Sequence, residues 1–307
     1  MAFSSFAAFI SPVVVVVHLL LLLLSPNSRG ANLPSSDIDN IEFPLNLEYL
    51  EAEFFLWASL GRGLDSVAPN LTMGGPPPIG VRRALLDYQT RDIILQFGYQ
   101  EVGHIRAIKS TVPGFPRPLL NLSAGVFAKV MDAAFGRPLI PPFDPYANGI
   151  NFLLASYVIP YVGLTGYVGA NPNLISATAK RLVAGLLGIE AGQDAVIRGL
   201  LYERKMLQVF PYGATVADFT DRISNLRNNL GRAGIKDEGL VVPPEQGAGG
   251  EFEATCLLGI KTPSPTNGHR RKCFGSCTAP ARRVFPAAST LEAATAGSPD
   301  LSLLKCS

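Results

Sequence analysis

Apolar side chains recur along this chain at intervals of three and four residues, the spacing that lines one face of an α-helix. The same regions lack the alternation of apolar and polar residues that indicates strands. The stretches with helical spacing are Ile38–Leu64, Arg91–Ser110, Ser123–Phe135, Ala147–Val168, Asn173–Leu207 and Val216–Leu230. Long helices with short or proline-rich joints predict an all-α fold, a four-helix bundle with extra short helices.

Glycine, proline and a capping pair mark the ends of these helices. Residues 74–78 read Gly-Gly-Pro-Pro-Pro and residues 141–145 read Pro-Pro-Phe-Asp-Pro, which are too rich in proline for helix. Gly61 is expected to end the first helix. Thr215 stands at the N-cap position of the last helix, with Asp218 three residues later.

The stretch Ile150–Ala170 carries no charge and is long enough to span a bilayer. It contains Asn151, Pro160 and three glycines, and no basic flank marks a cytoplasmic side. A helix that is apolar all round is also typical of the centre of a bundle, which is the interpretation we favour over membrane association. Pro160 should kink this helix, because proline cannot donate to the carbonyl four residues earlier.

Residues 1–30 form a separate leading region. Phe9–Leu24 is almost unbroken Val, Leu and Ile, and a polar break at Ser25–Gly30 follows it. The run is short for a membrane span and suits the core of a secretory signal peptide. Since no Lys or Arg precedes it, a retained N-terminal anchor is the alternative. Cleavage predicts a protein secreted to the extracellular space, the apoplast or cell wall.

Two acceptor triplets for N-glycosylation lie in segments that resemble loops. They are Asn70-Leu71-Thr72 and Asn121-Leu122-Ser123. Both agree with export and predict a glycoprotein modified at Asn70 and Asn121, although such triplets are common by chance.

The composition limits the class of protein. The 307 residues are 48% hydrophobic and 16% charged, which is too apolar for a disordered stress protectant. A formal charge of +2 predicts neither a nucleic-acid partner nor an anionic membrane surface. The sequence names no protein partner and is compatible with a homo-oligomer. The helical domain is predicted to span residues 31–252.

Residues 253–307 form an irregular tail in which helical periodicity stops. The tail contains all of the cysteines, which are Cys256, Cys273, Cys277 and Cys306. Two disulfides or a zinc site are alternatives, but no second cysteine pair has ligand spacing for zinc. When codons that can encode this tail are read in a shifted frame, they can instead encode the capped start of an amphipathic helix. Our hypothesis is that this tail is an out-of-frame translation, and we assign its cysteines no function.

Candidate chemistry centres on Glu101 and His104, which stand three residues apart on a predicted helix. That spacing puts both side chains on one face, about 4.5 Å apart along the axis, where they can ligate one metal ion. Bundles that hold two metal ions use two such Glu-x-x-His pairs and a Glu from each of two other helices. On the first helix, either Glu48 or Glu51 can face inward, and periodicity does not choose between them. Glu53 is expected to be solvated.

The helix Asn173–Leu207 offers Glu190, with Gln193 at the position of a second imidazole. Glutamine binds transition metals poorly, and Asp194 is a neighbouring candidate to compensate. The uncharged helix offers Tyr157 and Tyr161 but no acid. This set suffices for one ion or a degenerate pair, with iron or manganese as the candidate metals. Tyr161 and Gln100 are candidates to orient the ligands.

Several long strings in this sequence resemble the desiccation-related proteins of plants. The strings are Asn46–Phe55, Gly98–His104, Lys109–Val112, Pro141–Tyr146, Ala155–Gly163 and Gly239–Pro244. The resemblance covers about 37–250 and implies a ferritin-like fold and export. It supplies no reaction, because this family has no settled activity that carries over by residue. The tail departs from the usual end of the family.

These observations predict an exported ferritin-like bundle associated with desiccation stress. Metal binding is expected through a specific set of side chains, which are Glu48, Glu51, Glu101, His104 and Glu190. The alternative function is a redox metalloenzyme, an oxidase or peroxide-consuming enzyme that uses iron or manganese. A structural protectant, in which buried polar groups only fix the helix register, is the rival without catalysis.

Overall fold

The computed structural model describes residues 33–231, 237 and 239–242. The predicted signal peptide and the predicted irregular tail lie outside the described residues. Within that part of the chain there are nine α-helices. They are α1 (Ser35–Glu42), α2 (Leu45–Leu60), α3 (Leu64–Val67), α4 (Tyr88–Thr111), α5 (Ala124–Phe135), α6 (Gly149–Tyr157), α7 (Pro160–Ala170), α8 (Ala177–Tyr202) and α9 (Val216–Gly231). Two short 3₁₀ helices add Pro69–Thr72 and Asn171–Asn173.

Four layers of helix make the bundle: α2, α4, the pair α6–α7, and α8. Helix α2 packs along α4, while α6 and α7 pack along α8, and α8 also contacts α4. Stacked aromatic rings pack in the core. The ring centroid of Phe54 lies 5.0 Å from that of Phe127 and 4.6 Å from that of Phe152. The predicted all-α, ferritin-like bundle is confirmed.

The first predicted helix, Ile38–Leu64, is two helices rather than one, α1 and α2, and Leu64 is already the first residue of α3. Pro44 lies between α1 and α2 and has no N–H to continue the helical hydrogen bonds, so the helix is interrupted there. Gly61 ends α2 with a left-handed φ of +74°, as expected from its lack of a Cβ. Helix α2 lies in the middle of the fold, with twelve of its sixteen residues buried, so it has no solvent face.

The predicted kink at Pro160 is confirmed as a break. Helix α6 ends at Tyr157 and α7 begins at Pro160, whose ring nitrogen cannot donate to the preceding turn. The described residues include one helical stretch, Gly149–Asn173, that is long and apolar enough to cross a membrane, and 78% of its most apolar window is buried inside the protein. The bundle itself therefore covers the apolar surface of this segment.

Local capping explains most other boundaries. Helix α4 starts at Tyr88, ahead of the predicted Arg91, because the Asp87 carboxylate accepts the Thr90 N–H at 2.9 Å. The predicted N-terminal cap of α9 is confirmed: Asp218 accepts the Thr215 N–H at 2.7 Å, and Thr215 Oγ1 accepts the Asp218 N–H at 3.1 Å.

Helix α8 is shorter than the predicted Asn173–Leu207. Its start moves to Ala177, where the Ser176 side chain accepts the Thr178 N–H. Beyond its end the chain forms a small antiparallel pair, β1 (Gln208–Val209) and β2 (Ala214–Thr215). The sequence analysis missed these strands because two-residue strands carry no periodic pattern.

The expectation that Glu53 is solvated is wrong. Its carboxylate is fully buried and pairs with Arg117, which is only 1% exposed. Arg117 also binds Asp65 at 2.9 Å and donates to the carbonyls of Pro76 and Gly75 at 2.8 and 3.0 Å. The partner comes from 64 residues away in the sequence, so helical spacing gives no sign of it.

A second buried ion cluster attaches the last described residues to the bundle. Asp237 is fully buried between the guanidinium groups of Arg227 and Arg198, the latter at 3.0 Å. Burial works to raise the pKa of Asp237, but the charges of both arginines outweigh it and hold the pKa at about 2. The rings of Tyr157 and Tyr161 stack against the same two guanidinium groups.

We predict that Asp237→Asn lowers the free energy of unfolding by about 3–5 kcal/mol, because the buried Arg227 loses its ion-pair partner and Arg198 keeps only Asp194. Urea denaturation of the mature protein measures the loss. Asp92→Asn, on the exposed face of α4, is the control and is expected to change the unfolding free energy by less than about 0.5 kcal/mol. Equal losses in the two variants would show that the Asp237 cluster does not stabilise the fold.

Candidate metal centre

Four buried side chains from three helices converge in the middle of the bundle. One ligand atom from each lies within 4.8 Å of the others, a spread that one or two metal ions can bridge. The four residues are Glu48 of α2, Glu101 and His104 of α4, and Glu190 of α8. The predicted convergence of these acids and the imidazole is therefore present in the fold.

His104 is at the centre of this group. Its Nδ1 lies 2.8 Å from Glu48 Oε2 and 3.0 Å from Glu101 Oε2, within hydrogen-bonding distance of both. Glu190 Oε1 is 3.7 Å from the same nitrogen. One turn of α4 places Glu101 beside His104, as the sequence spacing predicts, while α2 contributes Glu48 and α8 contributes Glu190.

Both candidate glutamates of α2 face inward. Glu48 is 1% exposed and Glu51 is fully buried, and neither side chain reaches water. Periodicity did not choose between them because α2 is buried on nearly all sides, so two neighbouring positions can both point into the core. Glu51 lies outside the group of four, but its charge acts on those of Glu48, Glu101 and Glu190.

Helix α7 shapes the site without contributing an acid. The Tyr167 hydroxyl donates a hydrogen bond to Glu48 Oε1. A Cβ on Gly163 would lie 3.0 Å from Glu190 Oε2, so the absence of a side chain makes room for that carboxylate. The sequence analysis missed both residues because uncharged side chains on an apolar helix resemble ordinary core.

Gln100 and Tyr161, the two residues predicted to orient the ligands, lie in different parts of the fold. Gln100 Oε1 accepts a hydrogen bond from Gln193 Nε2 at 3.1 Å, next to the site. Tyr161 lies instead against the guanidinium groups of Arg198 and Arg227, at 5.2 and 4.6 Å. Tyr161 therefore belongs to the buried ion cluster.

The idea that Asp194 compensates for the missing imidazole is wrong. Its carboxylate binds Arg198 at 2.6 Å and is not among the converging ligands. One residue further along a helix rotates a side chain by about 100°, which turns Asp194 away from the face that Glu190 occupies. Gln193 does reach the site, where its amide nitrogen donates to Glu101 Oε1.

Negative charge exceeds positive charge in this interior. Among the described residues, the ion pairs of Glu48, Glu101 and Glu190 all involve His104, and neither Lys nor Arg pairs with them. Burial, then the charges of the neighbouring glutamates, raise the pKa values of Glu51 and Glu190 well above the usual range.

Around His104 the pKa values shift in different directions. Burial and the charge of Glu48 raise the pKa of Glu101 to about 8. Burial also acts to raise the pKa of Glu48, but its hydrogen bond to His104 and the imidazolium charge lower it overall. Burial opposes a charged imidazole, but the hydrogen bonds to Glu101 and Glu48 raise the pKa of His104 to about 11.

The unpartnered atoms of the site fit a metal ion. Both carboxylate oxygens of Glu51 and of Glu190, and Nε2 of His104, are buried without a hydrogen-bond partner. Buried polar atoms of this kind are costly unless a hydrogen-bond partner or a cation satisfies them. Carboxylate oxygens with one imidazole nitrogen are donors that iron and manganese accept. The buried Glu/His cluster is thus compatible with a metal site.

The predicted glycosylation sites have different environments. Asn70 is exposed in the 3₁₀ turn Pro69–Thr72. Asn121 is half-buried, and its Oδ1 accepts the Ser123 N–H at 3.1 Å. Of the two, Asn70 presents the more accessible side chain, and modification at either position stays a prediction.

A helical bundle with carboxylates and an imidazole gathered at its centre defines a ferritin-like protein. The family model described as "Ferritin-like domain" matches residues 36–203. The chain belongs to this ferritin-like family and, within it, to the desiccation-related proteins.

Two relatives support that assignment. The chain is 60% identical over 270 residues to the desiccation-related protein PCC13-62 of Craterostigma plantagineum, covering 88% of this chain and 86% of the relative. It is 62% identical over 213 residues to the ferritin-like catalase Nec2 of Nesocodon mauritianus, covering 69% and 68% of the two chains. No solved structure matches it. The family predicted from the sequence strings is confirmed.

If this cluster holds Mn²⁺, Gly163→Ala is predicted to weaken its binding at least roughly tenfold, because the added methyl group crowds the Glu190 carboxylate, which must shift to make room. Alanine is the better helix former, so α7 itself should not be weakened. Titration of metal-free protein with Mn²⁺ measures the affinity. Gly185→Ala on α8, where a Cβ contacts nothing within 4 Å, is the matched control. Equal affinities in the two variants would show that Gly163 does not position Glu190.

Proposed function

We propose that this chain is an exported metalloprotein of the desiccation response that holds iron or manganese and decomposes hydrogen peroxide. The observation that carries the proposal is the excess of buried acid. Glu48, Glu101 and Glu190 converge on His104, and the buried carboxylate of Glu51 adds its charge to theirs. No Lys or Arg of the described region pairs with these four acids.

The charge balance favours metal over a purely structural interior. Four ionised carboxylates cannot share a dry core with one imidazolium, so the metal-free chain must hold extra protons. Two divalent ions would balance the four glutamates with a neutral imidazole. Metal binding would then replace the protons and would also supply partners for the oxygens of Glu51 and Glu190.

Specific residues would hold and orient the ions. Glu48, Glu101, His104 and Glu190 offer converging ligand atoms, and Glu51 adds a carboxylate on the same helix as Glu48. Iron or manganese, when bound, supplies the change of redox state that lets one peroxide molecule be oxidised to oxygen while another is reduced to water.

The surrounding protein would restrict the geometry and the access of water. Tyr167 fixes the orientation of Glu48 through its hydroxyl, and Gln193 fixes Glu101 through its amide. Removing a hydrogen bond that orients a metal ligand typically lowers metal affinity by about 10–100-fold. The converging side chains are at most 6% exposed, which leaves bulk water little access to them.

The two relatives support complementary parts of the proposal. Nec2 is named a ferritin-like catalase, and it is 62% identical over 69% of this chain. PCC13-62 is named a desiccation-related protein, and it is 60% identical over 88% of this chain. A protein that removes peroxide during drying would combine the catalase activity in the first name with the desiccation response in the second. The apolar leader of the sequence supports export.

A structural role is the second candidate, and one observation favours it. Nδ1 of His104 already lies within hydrogen-bonding distance of both Glu48 and Glu101, so that part of the interior is satisfied without metal. In this alternative the polar network fixes helix register and the protein acts through its surface. Metal analysis separates the two candidates.

We predict that mature protein produced without a purification tag contains one to two equivalents of iron or manganese and releases oxygen from hydrogen peroxide. Glu101→Gln and His104→Gln should lower both metal content and oxygen release at least roughly 10–100-fold, because each removes a ligand. Elemental analysis and an oxygen electrode provide the measurements.

Glu203→Ala, exposed just beyond α8, is the control for that experiment and should keep the metal and the activity. Circular dichroism checks that all variants are folded. Wild-type protein that is free of metal, and whose melting temperature does not change when iron or manganese is added, would contradict the proposal and leave the structural role.

We predict that the metal-free protein loses stability as the pH rises from about 4.5 to about 8. The pKa of Glu101 is about 8 in the folded chain, against an ordinary value of 4.5, so the unfolded chain loses this proton first. The raised pKa of His104, about 11 against an ordinary 6.5, extends the loss in the same direction above pH 6.5. Thermal unfolding across this pH range measures the effect.

Carboxylates that are bound to a metal ion have already lost their protons. The melting temperature of the Mn²⁺-loaded protein should therefore change less with pH. The increase in melting temperature caused by Mn²⁺ should therefore grow between pH 5 and pH 8. The melting temperature of metal-free Glu101→Gln, which lacks one of the titrating groups, should depend less on pH than that of the metal-free wild type. Parallel profiles for the loaded and metal-free wild type would contradict the link between metal and these protons.

A further inference from the structure

We infer that a cavity lined by the N-termini of α4 and α6 and by strand β1 binds a small zwitterion, a free α-amino acid with an apolar side chain. The cavity has a volume of about 350 Å³. Sites for small molecules commonly have volumes of about 300–1,000 Å³, so this cavity suits a ligand at the small end of that range. It is lined by residues other than those of the metal centre, and the inference does not depend on the proposed metal function.

Two opposite charges line this cavity without pairing with each other. Asp87 is the N-cap residue of α4, and Arg204 lies just beyond the end of α8. Hydrogen bonds from the Thr90 side chain and N–H lower the pKa of Asp87, and the charge of Arg204 adds a smaller effect, so the carboxylate is ionised at neutral pH. In the described region the ion-pair partner of Arg204 is the exposed Glu203, at 3.7 Å, rather than Asp87. A ligand between Asp87 and Arg204 can therefore contact both.

The N-terminus of α6 supplies hydrogen-bond donors to the same cavity. Asn148 caps this helix, since its Oδ1 accepts the Asn151 N–H at 2.9 Å and its carbonyl accepts the Phe152 N–H at 3.0 Å. The N–H groups of Gly149 and Ile150 have no acceptor among the described residues, and both residues line the cavity. Free N–H groups at the positive end of a helix dipole favour a carboxylate.

Asn151 adds a buried acceptor that lacks a donor. The residue lines the cavity and is 4% exposed, and its Nδ2 donates to the Asp144 carbonyl at 2.9 Å. Its Oδ1 has no hydrogen-bond partner in the described part of the chain. An acceptor that is buried in this way is costly without a donor, and an ammonium group bound in the cavity would provide one.

The combination of these groups selects a ligand that carries both charges. A simple anion at α6 would lie close to the Asp87 carboxylate, because a Cβ on Gly149 would be 3.8 Å from Asp87 Oδ2. A simple cation would instead meet Arg204 and the positive end of the α6 dipole. An α-amino acid holds its carboxylate and its ammonium on one carbon atom. Its carboxylate can bind Arg204 and the N-terminus of α6 while its ammonium binds Asp87 and Asn151.

Part of the lining is apolar and would contact the side chain of the ligand. Leu153 and Val209 are buried, whereas Phe210 is 80% exposed in the same lining. A ligand that covers this ring removes apolar surface from water, which favours an amino acid with an apolar side chain over glycine. Leucine combines the two charges with such a side chain.

Calorimetric titration of the mature protein with L-leucine tests the inference. Two ligands that each lack one charge are the matched controls: 4-methylpentanoate keeps the carboxylate, and 3-methylbutylamine keeps the ammonium. One leucine should bind per chain. Each control should bind at least roughly tenfold more weakly, because it loses hydrogen bonds between charged groups.

Two variants assign the binding to this cavity. Asp87→Asn removes the negative charge but keeps a side chain that can cap α4, and Arg204→Gln removes the positive charge. Both should weaken leucine binding at least roughly tenfold. The controls are Asp92→Asn and Arg106→Gln, which lie on the exposed face of α4 and should leave the leucine affinity unchanged.

Several results would overturn the inference. They are no detectable binding of leucine, equal affinities for leucine and the two ligands with a single charge, and leucine binding that is unchanged in Asp87→Asn and Arg204→Gln. The ligand comparison uses the wild type alone, so it decides the matter even if a variant fails to fold. None of these results bears on the metal centre, which is tested separately by metal content and oxygen release.

Discussion

The structure depends on how the bundle tolerates a group of acids in its dry centre. Glu48, Glu101 and Glu190 converge on one imidazole, His104, and the charge of Glu51 acts on theirs. All five side chains are removed from water. Burial alone would force most of these carboxylates to keep their protons, which explains the raised pKa values of Glu51, Glu101 and Glu190. An interior of this kind is stable only with protons or cations in it, and this requirement links the fold to its chemistry.

The other buried charges of the protein show the contrast. Glu53 has Arg117 as a counterion, and Asp237 has both Arg198 and Arg227. These clusters are complete by themselves: they attach the long loops and the last described residues to the bundle. The acids at the centre lack any such partner in the described region apart from His104, which distinguishes this cluster from the structural ion pairs and makes it compatible with a metal site.

Uncharged residues of α7 and α8 also shape the centre. The break at Pro160 starts α7, which brings Gly163 against Glu190 and Tyr167 against Glu48. On α8, Gln193 holds Glu101 where a second imidazole would otherwise enter. The chain belongs to the ferritin-like, desiccation-related family, and its converging side chains include one imidazole, that of His104.

The sequence by itself determined the features that arise between near neighbours on the chain. The helices, the break at Pro160, the capping of α9 and the pairing of Glu101 with His104 follow from spacings of three or four residues. Only the tertiary structure decided that Glu48 and Glu51 both face inward, because α2 is buried too completely for periodicity to mark a face. It also decided that Glu53 meets Arg117 and that Tyr167 meets Glu48, across 64 and 119 residues of sequence. Contacts between distant residues depend on how whole helices pack, and local patterns carry no record of that packing.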